Sequence, residues 1–102
     1  MANNMYNNKY EFEWDDNKNQ INIAKHGIPF EKAQLAFRDE RRILEFDRMH
    51  LDREERFFCI GEIKGKIATV RFTVRGNRIR IIGAGYWRKG RRQYGRLDRS
   101  GT

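Results

Sequence analysis

The strongest constraint on the fold is a run of three apolar segments divided by two glycine-containing turns. In order along the chain these are ERFFCIGEI (55–63), Lys64-Gly65, KIATVRFTV (66–74), Gly76-Asn77 and RIRIIGA (78–84). Two-residue loops with glycine are typical of β-hairpins with type I′ or II′ turns. The pattern therefore predicts three consecutive antiparallel strands, with Ile63 opposite Lys66 and Arg75 opposite Arg78.

Alternation along these strands sorts their side chains onto two faces. Counting from the turns predicts an apolar face that contains the rows Phe57–Phe72–Ile81 and Cys59–Val70–Gly83, with Val74 opposite Ile79. The other face contains the rows Arg56–Thr73–Arg80 and Phe58–Arg71–Ile82. Like charges directly opposed in a sheet are destabilising, so the arginine-rich face suggests that an anion lies on it.

Two helices are predicted upstream of the hairpins. After YEFEW (10–14), which alternates enough for a short strand, Asp15 is a suitable N-cap and Gly27 a suitable left-handed residue after the helix. The packing side of this helix is expected to hold Ile21, Ala24 and Asn17. Pro29 fits the first turn of a second helix. Its apolar stripe at helical spacing consists of Phe30, Ala33, Ala36 and Phe37.

The remaining segments complete an α+β domain. ILEF (43–46) predicts a further strand, and 87–97 predicts a short basic helix whose buried side includes Tyr94 and Leu97. We expect an antiparallel sheet of about four strands, with the two N-terminal helices packed on one face and the basic helix at the C-terminus. Residues 10–97 would form one domain between a disordered N-terminus (1–9) and a flexible tail (98–102), and 102 residues suffice for one modest core.

Charge is segregated along the chain. Residues 64–102 hold 12 of the 22 Lys and Arg residues but one of the 14 acidic residues, a net charge of +11, whereas residues 1–63 carry a net charge of −3. Solubility does not require segregation, so the pattern favours a polyanionic partner such as nucleic acid or an acidic protein segment.

Several classes of protein are excluded or disfavoured. No apolar run approaches a membrane span and the polar N-terminus lacks the apolar core of a signal peptide, so we expect a cytosolic protein without membrane contact. The single cysteine, Cys59, excludes an internal disulfide and a multi-cysteine zinc site, and is expected to be buried. His26 and His50 lack helical metal-ligand spacing, so no metal site and no cofactor are expected. Gly83-Ala84-Gly85 is followed by Arg88 where a dinucleotide-binding fingerprint needs glycine.

RNA cleavage without a metal requires a base for the ribose 2′-hydroxyl, an acid for the leaving oxygen and cations for the phosphorane. Glu55 is the candidate base, and Arg71 and Arg80 are candidate phosphate ligands because a guanidinium binds phosphate oxygens in two places. His50 is a further candidate acid or base, although a solvated loop histidine is the simpler interpretation. Phe58, Tyr86 and Trp87 are aromatic candidates for base stacking; core packing is favoured for Phe58 and Trp87 and remains an open alternative for Tyr86.

The segments FEWDDNKNQINIAKHGIPFEKAQLAF and DREERFFCIGEIKGKIATVRFTVRGNRIRIIGA resemble the BrnT family of bacterial type II toxins over roughly residues 11–95. The resemblance implies a small RelE-like α+β ribonuclease that arrests translation. It also implies a BrnA-like antitoxin, which holds the toxin inactive in a hetero-oligomer, expected to be a heterotetramer, and which supplies the only contact with DNA.

The family pattern places Glu55 and Arg56 on its ER motif, and Arg80 on the arginine of its last strand. The expected RNA-binding residues are Arg56, Arg78, Lys25, His26, Tyr86, Arg88 and Lys89. The chain departs from the family at Gly83 and Gly85, where many members have serine and arginine, so Arg88 or Lys89 would have to supply the cation. The alternative function is a non-catalytic basic module that binds RNA or the antitoxin.

Overall fold

The computed structural model describes residues 11–48 and 54–100, with side chains described as far as residue 96. Its elements are β1 (Glu11–Glu13), α1 (Asp16–His26), α2 (Phe30–Ala33), a 3-10 helix that continues α2 (Gln34–Arg38), β2 (Ile43–Phe46), β3 (Phe57–Ile63), β4 (Lys66–Arg75), β5 (Arg78–Gly85) and α3 (Arg88–Ser100). The predicted α+β class is confirmed. Of the helices described, none is long and apolar enough to cross a membrane. His50 and residues 1–9 lie outside the described residues, so the predictions made for them are not tested.

The sheet differs from the prediction in strand number and in direction. It has five strands in the order β1-β5-β4-β3-β2, and β1 runs parallel to β5 while the other neighbours are antiparallel. The prediction of about four antiparallel strands was therefore wrong. Side-chain contacts on both faces of β1 stabilise it at this edge of the sheet. Phe12 lies beside Ile79 and packs on Phe37, and Glu13 lies beside Arg80 and binds it.

The two hairpins form as the turn residues predict. Ile63 pairs with Lys66 and Arg75 pairs with Arg78. Lys64 and Gly65 both have positive φ, at 49° and 89°, as a type I′ turn requires.

The predicted register of β5 fails beyond Ile81. Phe72 pairs with Ile81 as expected, but Arg71 pairs with Gly83 because Ile82 is an extra residue in a β-bulge. The bulge moves every later residue by one position. As a result Ala84 faces the core, where the predicted register had placed Gly83.

The core lies between the apolar face of the sheet and the segment formed by α2 and its 3-10 continuation. All four residues of the predicted stripe are fully buried: Phe30, Ala33, Ala36 and Phe37. The ring of Phe37 contacts that of Phe72 at 5.0 Å between centroids. The approach is close, since a Cβ at Gly61 would lie 2.4 Å from the carbonyl oxygen of Ala36. Leu44, Phe46 and Val74 stay exposed at 47%, 37% and 41% where the helices do not cover the sheet.

Helix α1 has the predicted caps but a different packing side. The Asp15 carboxylate accepts a hydrogen bond from the backbone N–H of Lys18 at 3.0 Å, and Gly27 has φ 72°. Ile21 is 54% exposed, however, and the buried residue of the helix is Asn22, at 7%. The predicted apolar side was therefore wrong, because α1 is fastened to β5 by an amide and not by an apolar stripe.

The side chain of Asn22 hydrogen-bonds to three backbone groups, two of Ala84 near the end of β5 and one of Ile28 after α1. Its Nδ2 donates to the carbonyl oxygens of Ile28 and Ala84, both at 3.0 Å, and its Oδ1 accepts from the N–H of Ala84 at 3.1 Å. These bonds fix the strand end that leads into α3.

Helix α3 packs on the opposite face of the sheet from α1 and α2. Gly90 makes this possible, since a Cβ there would lie 2.1 Å from the hydroxyl of Thr69 and 3.5 Å from Ile60. Tyr94 is buried at 7%, as predicted for this helix. Its hydroxyl donates to the carboxylate of Asp39, which also accepts the backbone N–H of Glu62 at 2.8 Å. The side chain of Leu97 lies outside the described part.

Candidate active site

A pocket of about 340 Å³ lies between α3 and the polar face of β3 and β4. We call it the α3 pocket and define it by six of its lining residues: Glu45, Phe58, Arg71, Trp87, Lys89 and Gln93. It combines two cations with two aromatic side chains. The pocket can therefore take a ligand that has both a negative charge and a flat apolar part.

Arg71 is the cation that the sheet itself presents to the pocket. Its Nε lies 3.9 Å from Oδ2 of Asp47, a carboxylate that is 2% exposed, and its guanidinium carbon lies 5.9 Å from the centre of the Phe58 ring. The distance to Asp47 is too long for a hydrogen bond, and Nε is buried without a hydrogen-bond partner among the described residues. Arg71 is thus balanced in charge, and because Nε is buried a ligand would meet the remainder of the side chain, which is 34% exposed. Phe58 supports the guanidinium from the pocket wall; it is half-buried on the polar face and not in the core, where its packing was favoured.

The other predicted arginines of the strands are paired with carboxylates of the protein. Glu13 of β1 accepts from Arg78 and from Arg80, each at 3.2 Å. Partial burial opposes ionisation of Glu13, but these two hydrogen bonds outweigh it and lower its pKa. Glu13 therefore neutralises part of the positive charge of the arginine-rich face. Arg80 lies on that face already paired with this carboxylate.

Glu54, which the sequence analysis did not single out, stands beside the arginines at the start of β3. It accepts a hydrogen bond from Nε of Arg75 at 2.8 Å, which lowers the pKa of Glu54 and raises that of Arg75. The charges of Arg56 and Arg80 lower the pKa of Glu54 further. The repeated acid in DREER was the available signal, but register alone did not show which of the two glutamates meets the arginines.

Glu55, the predicted base, has an exposed side chain. Its carbonyl oxygen accepts a hydrogen bond from the hydroxyl of Thr73 at 2.7 Å. Thr73 and Arg71 are two residues apart on β4, so they share a face and are separated by about 7 Å along the strand. Neighbouring Arg56 is half-buried, and its Nε has no hydrogen-bond partner in the described part of the chain.

Trp87 is the residue that sequence reasoning most misjudged. Core packing was favoured, but the side chain is 39% exposed and lines the α3 pocket. A Cβ at Gly85 would lie 2.5 Å from the indole atoms Cε2 and Cζ2, and the ring of His26 contacts the indole at 5.1 Å and 80°. His26 thus reaches the site indirectly, through Trp87.

The other predicted RNA-binding residues divide between two regions. Tyr86 packs against the core with Lys66 5.1 Å from its ring centre, and does not line the α3 pocket. Lys25 is exposed near the end of α1. On α3, Lys89 lines the pocket, while Arg88 is exposed before it.

The contact between Tyr94 and Asp39 holds α3 over the pocket. Burial raises the pKa of Tyr94 to about 12, assisted by its hydrogen bond to Asp39. Burial by itself would also raise the pKa of Asp39. The hydrogen bonds from Tyr94 and from the backbone of Glu62 and Arg41 outweigh burial and lower the pKa of this carboxyl. Asp39 is therefore an ionised anchor for the helix.

A protein-family model described as "Ribonuclease toxin, BrnT, of type II toxin-antitoxin system" matches residues 14–90. The matched stretch includes every strand of the sheet except β1, and it ends at Gly90, the point where α3 meets the sheet. A search of curated proteins finds no match. The family model confirms the resemblance that residues 12–37 and 52–84 indicate.

Proposed function

Since the chain belongs to the BrnT family of ribonuclease toxins of type II toxin–antitoxin systems, we propose that it cleaves RNA without a metal ion at the α3 pocket. The reaction is attack of a ribose 2′-hydroxyl on the adjacent phosphate, with departure of the 5′ oxygen. The observation that carries this proposal is Arg71, a pocket cation whose side chain is 34% exposed and lies against Phe58 and Asp47.

Arg71 suits the stabilisation of a phosphorane. A guanidinium that donates to two phosphate oxygens contributes most where water is excluded and the cation is already oriented. Phe58 and the buried carboxylate of Asp47 provide that orientation. Lys89 adds a second positive charge from the other wall of the pocket.

Glu55 is the proposed base that removes the proton from the 2′-hydroxyl. Its competitor Glu54 is committed to Arg75, whose hydrogen bond holds it ionised and makes it a poorer proton acceptor. Within residues 11–48 and 54–100, no ion pair engages the Glu55 carboxylate. His50 remains the proposed acid for the leaving oxygen, and Arg80 a second phosphate ligand that Glu13 holds in place.

The test is cleavage of a labelled single-stranded RNA in the presence of EDTA. Arg71→Ala should lower the rate about 10²- to 10³-fold, as expected when one donor to developing charge is lost. Glu55→Gln should lower it as well, while Arg38→Ala, which removes an exposed arginine on the opposite side of the sheet, should not. Equal rates for the wild type and Arg71→Ala would refute the site, and loss of wild-type cleavage in EDTA would refute the metal-independent reaction.

Membership in a type II system implies an antitoxin protein as partner. We propose that an acidic segment of a BrnA-like antitoxin covers the polar face and α3, where Arg88, Lys89 and Arg92 are exposed. Binding to the folded state stabilises it by mass action, so the complex should melt at a higher temperature than the toxin alone. Expression of the toxin alone should arrest translation and growth, and co-expression of the antitoxin should restore both.

The alternative is a non-catalytic module that binds RNA or the antitoxin. Gly83 and Gly85 favour it, because they stand where the resemblance implies serine and arginine. Tight RNA binding without cleavage by the wild type would establish this alternative in place of the enzyme.

A further inference from the structure

The indole of Trp87 is both exposed and held in place. Contact with Gly85 covers one part of the ring, His26 packs edge-to-face against another, and 39% of the residue remains exposed on a pocket wall. Exposed tryptophans usually lose rotamer freedom when they bind a ligand. Here the fold has already restricted the ring, and a restricted aromatic surface beside a cation is the arrangement on which nucleobases stack.

Polar groups stand at another part of the same pocket. Nε2 of Gln93 donates to Oε2 of Glu45 at 2.9 Å. That bond uses one of the two N–H groups of the amide and orients the pair, which presents the Glu45 carboxylate and Oε1 of Gln93 as acceptors. Thr69 also lines the pocket; its hydroxyl is buried and has no hydrogen-bond partner among the described residues.

Paired acceptors discriminate between bases. Guanine presents two adjacent donors on its Watson–Crick edge, N1–H and the N2 amino group, and these match the two oxygens of a carboxylate. Adenine and cytosine each place an acceptor beside their donor, and uracil has one donor between two acceptors. A carboxylate therefore favours guanine among the four bases.

We propose that the α3 pocket contains a nucleobase subsite in which a guanine of single-stranded RNA stacks on Trp87 and is read by Glu45 and Gln93. This rests on the proposed function, in that RNA occupies the pocket. The subsite selects which nucleotide is held beside Arg71, whereas Arg71 acts on the phosphate.

The proposal also gives a physical role to Gly85. A side chain at this position would overlap the indole, so an arginine at 85 and a tryptophan at 87 in its present place exclude each other. At Gly83 the nearest atom to an added Cβ is Oδ1 of Asn22, at 3.9 Å, so no such conflict arises there. This chain therefore has an aromatic platform at the position where the resemblance implies an arginine.

The experiment measures binding of hexamer RNAs that carry 2′-O-methyl groups and cannot be cleaved. The probes are U-rich hexamers with guanine, inosine, adenine or an abasic nucleotide at one central position. Trp14→Phe leaves Trp87 as the sole tryptophan, since the chain has two, so fluorescence reports on the platform directly. We expect guanine to quench this emission and to bind about ten-fold more tightly than the abasic probe. Inosine, which lacks the N2 amino group, should bind more weakly than guanine.

Three variants separate stacking from base reading. Trp87→Ala should abolish the difference between the guanine and abasic probes, and Trp87→Phe should retain part of it. Glu45→Gln should remove the preference for guanine over inosine and leave the preference for either over the abasic probe. Gly85→Ala keeps the indole but displaces it, and should weaken guanine binding. Thermal unfolding of each variant identifies any that fails to fold.

Equal binding of the guanine and abasic probes to the wild type, or undiminished discrimination in Trp87→Ala, would overturn the subsite. Equal binding of guanine and inosine would overturn base reading by Glu45. These results are distinct from a failure of the proposed function. Cleavage that depends on Arg71 without base preference would refute the subsite alone, whereas base preference without cleavage would refute the ribonuclease alone.

Discussion

Replacement of Asn22 by alanine should detach α1 from β5 and lower the free energy of unfolding. The side chain is 7% exposed and makes three hydrogen bonds, to Ile28 and to both backbone groups of Ala84. At a net contribution of about 0.5–1.5 kcal/mol for each bond, their loss costs about 1.5–4.5 kcal/mol. Alanine returns up to about 0.7 kcal/mol through its higher helix propensity. The expected net loss, about 1–4 kcal/mol, is a large part of the stability of a small domain.

Asn17 provides the matched control, because it lies in the same helix with an exposed side chain. Asn17→Ala gains the same helix propensity and loses none of the three bonds. The difference between the two variants in urea unfolding, at equal m-values, therefore isolates the hydrogen bonds of Asn22. Equal stability of Asn22→Ala and Asn17→Ala would refute the conclusion that an amide fastens the helix. If the folded Asn22→Ala variant keeps the wild-type fluorescence of Trp87, the contact between His26 and the indole survives the loss of these hydrogen bonds.

Three further outcomes follow from packing and charge. Gly61→Ala should cost about 1–3 kcal/mol in urea unfolding, since its Cβ would overlap the backbone of the 3-10 helix, whereas Gly95→Ala, with no atom within 4 Å, should not destabilise. The lowered pKa of Asp39 means that its stabilisation is present above its ordinary pKa of 3.8 and is lost as the pH falls through the folded-state value. Tyr94→Phe removes one of the hydrogen bonds that lower this pKa, so its free energy of unfolding should fall less steeply with decreasing pH than that of the wild type. An unchanged pH dependence would contradict this. Burial raises the pKa of Cys59 to about 12, so labelling by a thiol reagent at neutral pH should follow unfolding in urea and be negligible before it.

Local signals sufficed for the centre of the fold. The turn residues Lys64 and Gly65 have the positive φ that a two-residue hairpin needs, so the pairing of β3 with β4 follows from neighbouring residues alone. The stripe of α2 and its 3-10 continuation is likewise a property of one short segment. Such elements can be predicted because the interactions that define them act between residues close in sequence.

The errors arose where distant segments meet. Asn22 bonds to a strand 62 residues away, and no helical period reveals that an amide will replace an apolar contact. The parallel placement of β1 depends on Glu13 meeting arginines 65 and 67 residues away. The bulge at Ile82, next to Gly83, changes the face of every residue that follows, and a glycine in a strand does not by itself fix whether or where the strand bulges.

The candidate site divides in the same way. Period-2 alternation placed Arg71 on the polar face, and it is there, beside Phe58. The exposed position of Trp87 could not be predicted, because it requires the bulge, the absence of a side chain at Gly85 and the end of α1 to coincide.

The sequence by itself determined where strands turn, which segment is helical and which half of the chain is positive, because these depend on backbone preference and on counting charges. Only the tertiary structure decided which of those charges are neutralised. Arg78 and Arg80 are hydrogen-bonded to Glu13, whereas Arg71 stands 3.9 Å from the carboxylate of Asp47, too far for a hydrogen bond. The free energy of a charge depends on distance and burial, and both are set by residues that come together only when the sheet closes.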